Sequence, residues 1–481
     1  MPAVGACIDT GLDSVVDRIR AALGRDACLE TPDAIEPYLG DFRGLFRGVT
    51  RLVVLPRSTD EVATVLAICN DAAVGVVPHG GNTSYCGGAT PDSSGRQIVL
   101  ALARMNRVRE VDAANFSITA EAGCVLADVQ RDAAQAGRYF PLSLGSEGSC
   151  QIGGNLATNA GGLAALRYGV ARELVLGLEV VLPDGRVLDG LKSLRKDNTG
   201  YDLRHLFIGA EGTLGIITAA SLKLFPVPRT VATAFVAVES VAAAVALLGR
   251  LREATGDAVT SFELLPRLGI ELTARHVPGC RDPFGETHDW YVLCEIASAR
   301  EDPGLRTLLE DALGAAMSDG GVRDAVLAES VAQRDALWRV RESVPEAQRR
   351  EGASIKHDVS VPVAQLPEFV TRATAAVLAI VPAGRMLVYG HVGDGNLHFN
   401  VTQPVGGRPE DFLALGNAIA EAVYSEVREF RGSISAEHGI GQLKRRELAR
   451  YKGAVDLELM RALKQTIDPR GIMNPGKVLP D

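Results

Sequence analysis

The stretch RLVVLPRSTDEVATVLAICNDAAVGVVPHGGNTSYCGG, residues 51–88, decides the fold class. Its first six residues make a short apolar strand. Ser58 and Glu61 then form a capping box, and Val62, Val65, Leu66 and Cys69 fall on one helical face, so a helix starts at Ser58. The chain returns as a second strand through VGVVPH and runs into a glycine-rich loop. Strand, helix, strand and loop in that order announce an α/β unit.

Two more loops of the same texture follow, LGSEGSCQIGGNLATNAGG at 144–162 and IGAEGTLGIIT at 208–218. Glycine at this density allows positive φ and close approach of backbone to a bound group. A single such loop is an ordinary tight turn more often than not, but three of them favour one shared ligand. The GxGxxG fingerprint with its downstream acid and the P-loop are both absent, so the loops would hold a phosphate-bearing cofactor in another way. Past KLFPVPR at 223–229 the texture changes. Long helical patterns alternate with apolar strands such as WYVLCEI, which places a domain boundary near Phe225. Near the end, Leu459, Leu463 and Ile467 mark a last helix, with Pro469 and Gly471 as its stop signals.

Composition bounds the partners. The chain has 481 residues, 47% hydrophobic and 23% charged, which fits two or three ordinary globular domains. A net charge of −9 argues against a nucleic-acid partner, which needs a basic face. The most apolar long run, VATAFVAVESVAAAVALLG from Val231, is broken by Glu239 and Ser240 and reads as a strand followed by a helix rather than a membrane span. Asp9, Asp13 and Asp17 suit neither a secretory signal nor a transit peptide, so a cytoplasmic location is expected. Cysteines at 7, 28, 69, 86, 124, 150, 280 and 294 show no CxxC pair and are expected to be reduced, mostly buried thiols.

The segment YGHVGDGNLHFNV, 389–401, carries two of the eight histidines around Asp394-Gly395, the dipeptide of a type I′ hairpin. Counting outward from that turn pairs His391 with His398, near enough for two imidazoles to hold one ion. Asn400 lies two residues beyond His398 and points to the same face. A pair of surface histidines on a plain hairpin has the same spacing, so a metal reading needs a third ligand. SAEHGIG offers Glu437, a hard oxygen donor, with His438 beside it.

Taken together, PHGGNTSYCGG (78–88), GSCQIGGNLATNAGGLAALRYG (148–169), SLRKDNTGYDLRHLFIGAEGTLGIIT (193–218), GHVGDGNLHFNV (390–401), SAEHGIGQLKRREL (435–448) and DPRGIMNPGKVLP (468–480) resemble the vanillyl-alcohol-oxidase-type, or PCMH-type, FAD-linked oxidoreductases. The likeness runs through residues 35–480 in consistent order. It implies an α+β protein. An N-terminal helical segment would occupy 1–45, a PCMH-type FAD-binding domain of two α/β subdomains 46–225, and an α+β substrate or cap domain with an antiparallel sheet 226–430. A C-terminal helical segment, 431–481, would carry Glu437 and His438 and return to the FAD domain.

The resemblance further implies non-covalent FAD. Pro78, Gly80, Gly81, Asn82, Thr83, Ser84, Gly87 and Gly88 would cradle it from the first loop. Leu144, Gly145, Ser149, Gly153, Gly154, Asn155, Thr158, Asn159, Gly161 and Gly162 would line it from the second, joined by Gly212, Ile217 and Asn474. Asn82 and Thr83 stand at the loop crest in the non-covalent pattern, so His79 is not expected to attach the cofactor. The metal set would be His391, His398 and Glu437, with zinc as the best-matched ion and His438 as the base that takes the substrate's hydroxyl proton.

By the same likeness Arg341 in WRVRESVPEAQ and Lys356 in SIKHDVSVP would clamp a distal carboxylate, with Asn400 and His438 also touching substrate. That favours a diacid, D-2-hydroxyglutarate oxidised to 2-oxoglutarate. Pro345 departs from the family pattern, which has a threonine one turn after the arginine. The departure keeps D-lactate, glycolate and D-malate open as substrates. A metal-dependent hydrolase is a more remote alternative, since it has no use for a dinucleotide cradle. An electron-transfer flavoprotein is the implied electron acceptor, and a homodimer the implied assembly.

Overall fold

The computed structural model describes residues 10–480; Cys7 and Asp9 lie outside them. The first sheet holds β1 (Cys28–Leu29), β2 (Val53–Val54), β3 (Gly75–His79) and β4 (Gln97–Ala101) in the order β1-β2-β4-β3. β2 and β3 both run parallel to β4. The helix Thr59–Ala72 connects β2 to β3 and buries Val62, Val65, Leu66 and Cys69, the face its spacing predicts. Ser58 is its N-cap and accepts the Glu61 amide at 3.2 Å, while the Glu61 carboxylate reaches the amide of Arg57 rather than that of Ser58. Ser58→Ala should therefore lower stability by about 1 kcal/mol, read by denaturant unfolding, and leave cofactor content unchanged.

The second sheet is antiparallel. β5 (Val108–Asp112), β6 (Ser117–Glu121), β8 (Val175–Val181), β9 (Val187–Gly190) and β10 (Ile216–Lys223) take the order β5-β6-β10-β8-β9, and β7 (Arg138–Tyr139) pairs with β11 (Phe225–Pro226). The chain's end returns to the first sheet. The Val76 amide donates to Ile472 and the Asn474 amide to Val76, both at 2.8 Å, and Ile472 and Met473 are buried in the core beneath β3.

The third sheet has seven antiparallel strands. These are β12 (Thr230–Val238), β13 (Val259–Pro266), β14 (Trp290–Ser298), β15 (Val322–Leu327), β16 (Ser354–Ser360), β17 (Arg385–His391) and β18 (Asn396–Thr402), in the order β15-β12-β14-β13-β17-β18-β16. One face packs against helices that include Val241–Thr255, Gly304–Ser318, Leu366–Ile380 and Gly416–Glu429, the other against Arg267–His276, Val331–Glu342 and Val344–Arg350. A sheet covered on both faces wants strands that are apolar throughout. β13 satisfies this at every position of VTSFELLP but Thr260, Ser261 and Glu263, and all eight of its residues are buried.

Among the described residues one segment, Val363–Ile380, is apolar and long enough by composition to cross a membrane. It packs Leu366, Phe369, Val370, Ala373 and Val377 into this core, at about 1.5–3 kcal/mol for each large side chain. The run from Val231 is the predicted strand and helix. The seven described cysteines are unpaired thiols, six of them buried.

One sequence expectation is corrected, and the expected last helix is present. Asp394-Gly395 does not form a two-residue type I′ hairpin. Val392–Asp394 make a turn of 3-10 helix, and only Gly395, at φ 85°, takes the left-handed conformation. The ladder therefore pairs Tyr389, not His391, with His398. Side chains alternate faces with a period of two, so a slip of two positions leaves His391 on the face of His398, and the rings still lie 5.5 Å apart. In the last helix, Ala454–Ile467, Leu459 and Leu463 lie exposed and Leu457 faces inward.

Candidate active site

The three glycine-rich loops converge. A Cβ on Gly81 would sit 2.2 Å from the Ser149 carbonyl oxygen, so the first loop closes on the second only because a side chain is missing there, and Gly80 packs beside Gly154. Gly212 of the third loop lies against Pro78, and the Asn474 amide group donates to the carbonyls of Gly88 (3.0 Å) and Glu211 (2.7 Å), tying first and third loops to the C-terminal tail. Around this junction the Cβ directions of Gly145, Gly148 and Gly154 open into empty space. Asn155 Nδ2, Gln151 Oε1 and Asn474 Oδ1 are buried without a partner in the protein. Buried polar groups normally have partners. Open backbone lined by such atoms fits a large polar ligand of the FAD kind.

Other predicted cradle residues also hold the loops in place. Thr158 donates its hydroxyl to the Gly154 carbonyl, Asn159 accepts the Arg172 amide, and Gly153 packs on Ala122. Asn82, at φ 52°, donates to the Gly40 carbonyl at 2.8 Å. Ser84 accepts the Cys86 amide, Gly87 lies against the Phe46 ring, and Ile217 is buried in β10. His79 is buried with neither ring nitrogen partnered and meets the Tyr38 ring edge-on at 4.9 Å; burial pulls its pKa down to about 4.

At the cofactor loops' border Gly161 lies against Glu437, its Cβ direction 2.9 Å from Oε1, so the second loop touches the histidine-carboxylate cluster. His391 donates from Nδ1 to Glu263 Oε1 at 2.6 Å, which leaves Nε2 facing Glu437 Oε1 at 3.7 Å. The His398 ring stacks parallel to that of His438 at 6.1 Å. Ligand atoms of Asp358, His398, Glu437 and His438 all lie within 4.8 Å of one another. Asp358 is the support of this group. Its Oδ2 accepts the amides of Glu437 (2.8 Å) and His438 (2.9 Å), and its Oδ1 accepts Asn396 Nδ2 (2.9 Å). From the third glycine-rich loop, Glu211 accepts the amides of Ile440 and Gly441 and so fixes the far side of the same loop.

The electrostatics of the cluster suit a cation. Burial opposes the charged form of His391, but the carboxylates of Glu263 and Glu437 outweigh it and raise the pKa to about 9. Burial raises Glu437 to about 7 against the pull of His391, with Asp358 reinforcing the rise. Burial, then the His391 charge, drives His398 well below the usual imidazole range. The structure gathers the expected ligands His398 and Glu437 with Asp358 and His438, while His391 meets the group through Glu437; imidazole and carboxylate donors of this kind suit a divalent ion.

The predicted clamp residues are dispersed around the cluster. Arg341, 6% exposed, gives Nε and Nη2 to Glu263 Oε2, both at 2.8 Å, and its guanidinium lies 4.8 Å from the Tyr389 ring centre. Lys356 pairs with Asn400 across β16 and β18, on the face that holds Asp358 and His398. Asn400 is buried and donates to Gln348. Pro345 sits in the first turn of Val344–Arg350, where a missing amide hydrogen is tolerated, so the preceding helix stops at Glu342. A cavity of about 320 Å³ opens between Ser143 and Leu163 beside the second loop and Trp338 and Glu342 of the Arg341 helix.

Comparison with known proteins agrees with this arrangement. Residues 50–190 match the FAD binding domain model and 227–478 the FAD linked oxidases, C-terminal domain model. The D-2-hydroxyglutarate dehydrogenase of Bos taurus mitochondria is 41% identical over 455 residues, 93% of this chain and 80% of the relative; that of Xanthomonas citri pv. viticola is 36% identical over 447 residues, 93% of each. The chain belongs to the D-2-hydroxyglutarate dehydrogenase family. Among solved structures, p-cresol methylhydroxylase superposes with a TM-score of 0.76 at 17% identity, covering 98% of this chain and 97% of its own, which shows the shared fold.

In this family member, sequence reasoning missed Glu263, Asp358, Glu211 and Gln348. Glu263 had a readable signal, as the only charge in the buried run VTSFELLP. Asp358 gave none, because its partners are backbone amides 79 and 80 residues away.

Proposed function

We propose that this protein oxidises D-2-hydroxyglutarate to 2-oxoglutarate and passes the electrons to an external acceptor, an electron-transfer flavoprotein. The observation that carries the reading is the contact of Gly161 with Glu437, which sets the cofactor loops against the histidine-carboxylate cluster. His391, His398 and Glu437 would hold a divalent ion, zinc by donor type, and the three loops would hold FAD. When bound, FAD accepts the hydride and the ion polarises the substrate's hydroxyl.

This chain's residues do the rest. Burial lowers the pKa of His438 against the pull of Asp358, with Lys444, Arg43 and Lys356 adding to the drop, so the imidazole is neutral near pH 7 and free to take a proton. Asp358 Oδ2 lies 3.7 Å from His438 Nδ1, which favours the proton there and leaves Nε2 as the accepting atom. Lys356 and Arg341 would supply the cations for the distal carboxylate, Arg341 with two of its donors already given to Glu263.

The test is an anaerobic titration of the FAD- and zinc-loaded protein with D-2-hydroxyglutarate, D-malate and D-lactate, followed at the flavin absorbance. Fast bleaching by D-2-hydroxyglutarate, lost on chelation and restored by zinc, is expected. Faster bleaching by D-lactate would overturn the substrate, and bleaching indifferent to chelation would overturn the metal.

A further inference from the structure

The cationic side of the site carries more charge than its built-in partners account for, and the surplus is not at Arg341. That guanidinium is buried, gives two of its donors to Glu263, and lies on the Tyr389 ring. Lys356 differs. It is half-buried and has no acid partner among the described residues. The charges that act on it are Arg43 and Arg349, both cations, and they add to burial in drawing its pKa down to about 8. Both arginines are exposed, and neither side chain has an acid partner among the described residues. Solvent screens their charges, so gathering them beside a half-buried ammonium costs a modest free energy, which an anion joining them removes.

Arg43 comes from a part of the chain that sequence reasoning left out of the site, and the fold holds it there. Asp41, itself buried, accepts the amides of Arg43 (3.0 Å) and Phe46 (2.6 Å), and its carbonyl accepts that of Gly44 (3.0 Å), so residues 41–46 form a fixed turn. Asn82 of the first glycine-rich loop pins this turn through the Gly40 carbonyl. The Arg43 guanidinium stands 5.9 Å from the centre of the Tyr85 ring, and Tyr85 meets His438 edge-on at 4.6 Å. The turn thus delivers a cation to the neighbourhood of the proposed base.

We propose that Arg43 is a specificity-determining residue that, together with Lys356, receives the carboxylate at the far end of a dicarboxylic substrate. This rests on the proposed oxidation of a 2-hydroxy diacid. It assigns the diacid preference to a residue of the N-terminal segment, on the side of His438 that faces Tyr85. It also explains how the site tolerates Pro345, since the loss of a hydroxyl near Arg341 leaves this second anchoring group intact.

The experiment compares wild type with Arg43→Gln, both loaded with FAD and zinc, in two independent readouts. One is the KM for D-2-hydroxyglutarate against that for D-2-hydroxyvalerate, which has the same carbon chain but no second carboxylate. The other is the Kd of 2-oxoglutarate against 2-oxovalerate, read from the flavin spectrum without turnover. Removing one charged hydrogen-bonding partner should raise the diacid KM and the 2-oxoglutarate Kd by ~10- to 100-fold, with little change for the monoacids. An equal rise for diacid and monoacid, or no rise for the diacid, would overturn the assignment. If wild type binds 2-oxoglutarate in an Arg43-dependent way yet D-2-hydroxyglutarate leaves the flavin oxidised, the proposed reaction fails while the anion site stands. If wild type binds neither 2-oxo acid, both fall.

Discussion

Glu263→Gln is expected to weaken divalent-metal binding by ~10- to 100-fold and to destabilise the protein by about 3–5 kcal/mol. The two losses have different origins. Glu263 is 1% exposed and sits in a strand buried on both faces. One of its oxygens fixes His391 with the proton on Nδ1 and so aims Nε2 at Glu437; the other balances Arg341. An amide can still accept a hydrogen bond, but it carries no charge, so Arg341 becomes a buried cation without a counter-ion. Pairing Glu263→Gln with Arg341→Met should restore much of the stability while leaving the metal affinity low. Chelator competition and denaturant unfolding read the two quantities separately. If the single variant keeps wild-type metal affinity, Glu263 does not orient a ligand and His391 is held by Glu437 alone.

The same carboxylate gives the apoprotein a pH dependence whose sign follows from its shift. Burial would raise the Glu263 pKa, but His391 and Arg341 pull it down to about 2. A depressed carboxyl contributes stability above its unfolded value near 4.5, and that stability is lost as the pH falls toward 2. His391 acts in the opposite sense. Its pKa is raised to about 9, so its contribution is full below 6.5 and fades as the pH rises through 9.

The histidines and Glu437 stand out in the sequence through the family motifs that hold them, since their spacing alone fits a plain hairpin as well; the fold adds that they share one neighbourhood. The register of the 389–401 segment is not legible. Asp394-Gly395 has the composition of a two-residue hairpin, but residues 392–394 coil into a 3-10 turn and lengthen the loop. The reading of one shared face survives because strand periodicity forgives a shift of two. Arg341 shows a different limit. Motif likeness places it at the substrate, and the fold adds that Glu263, 78 positions earlier, takes two of its donors. Arg43 is hidden for the same reason, since its route to His438 passes through Asp41, Asn82 and Tyr85, which no local pattern joins.

His438→Ala is expected to slow flavin reduction by D-2-hydroxyglutarate by ~10²- to 10⁴-fold, the usual contribution of a positioned general base. FAD and metal content should stay near wild type, because the loop that carries the residue is fixed by main-chain bonds. Asp358 accepts the amide of position 438 from one side, and Glu211 holds Ile440 and Gly441 from the other. The pH profile separates a base from a spacer. The groups acting on the ring are Asp358 on β16 and Lys356 on the same strand, Lys444 beyond the loop, and Arg43 on the N-terminal turn, with the uncharged Tyr85 ring edge against it. Burial and the three cations outweigh Asp358, so the imidazole sheds its proton below 6.5. The acid limb of wild-type flavin reduction should hence lie below pH 6.5, and Arg43→Gln should move that limb upward by removing one of the charges that depress it. Stopped-flow reduction across this range decides the matter. If His438→Ala keeps the wild-type rate, or if the acid limb stays fixed when Arg43 is neutralised, the proton goes to another group.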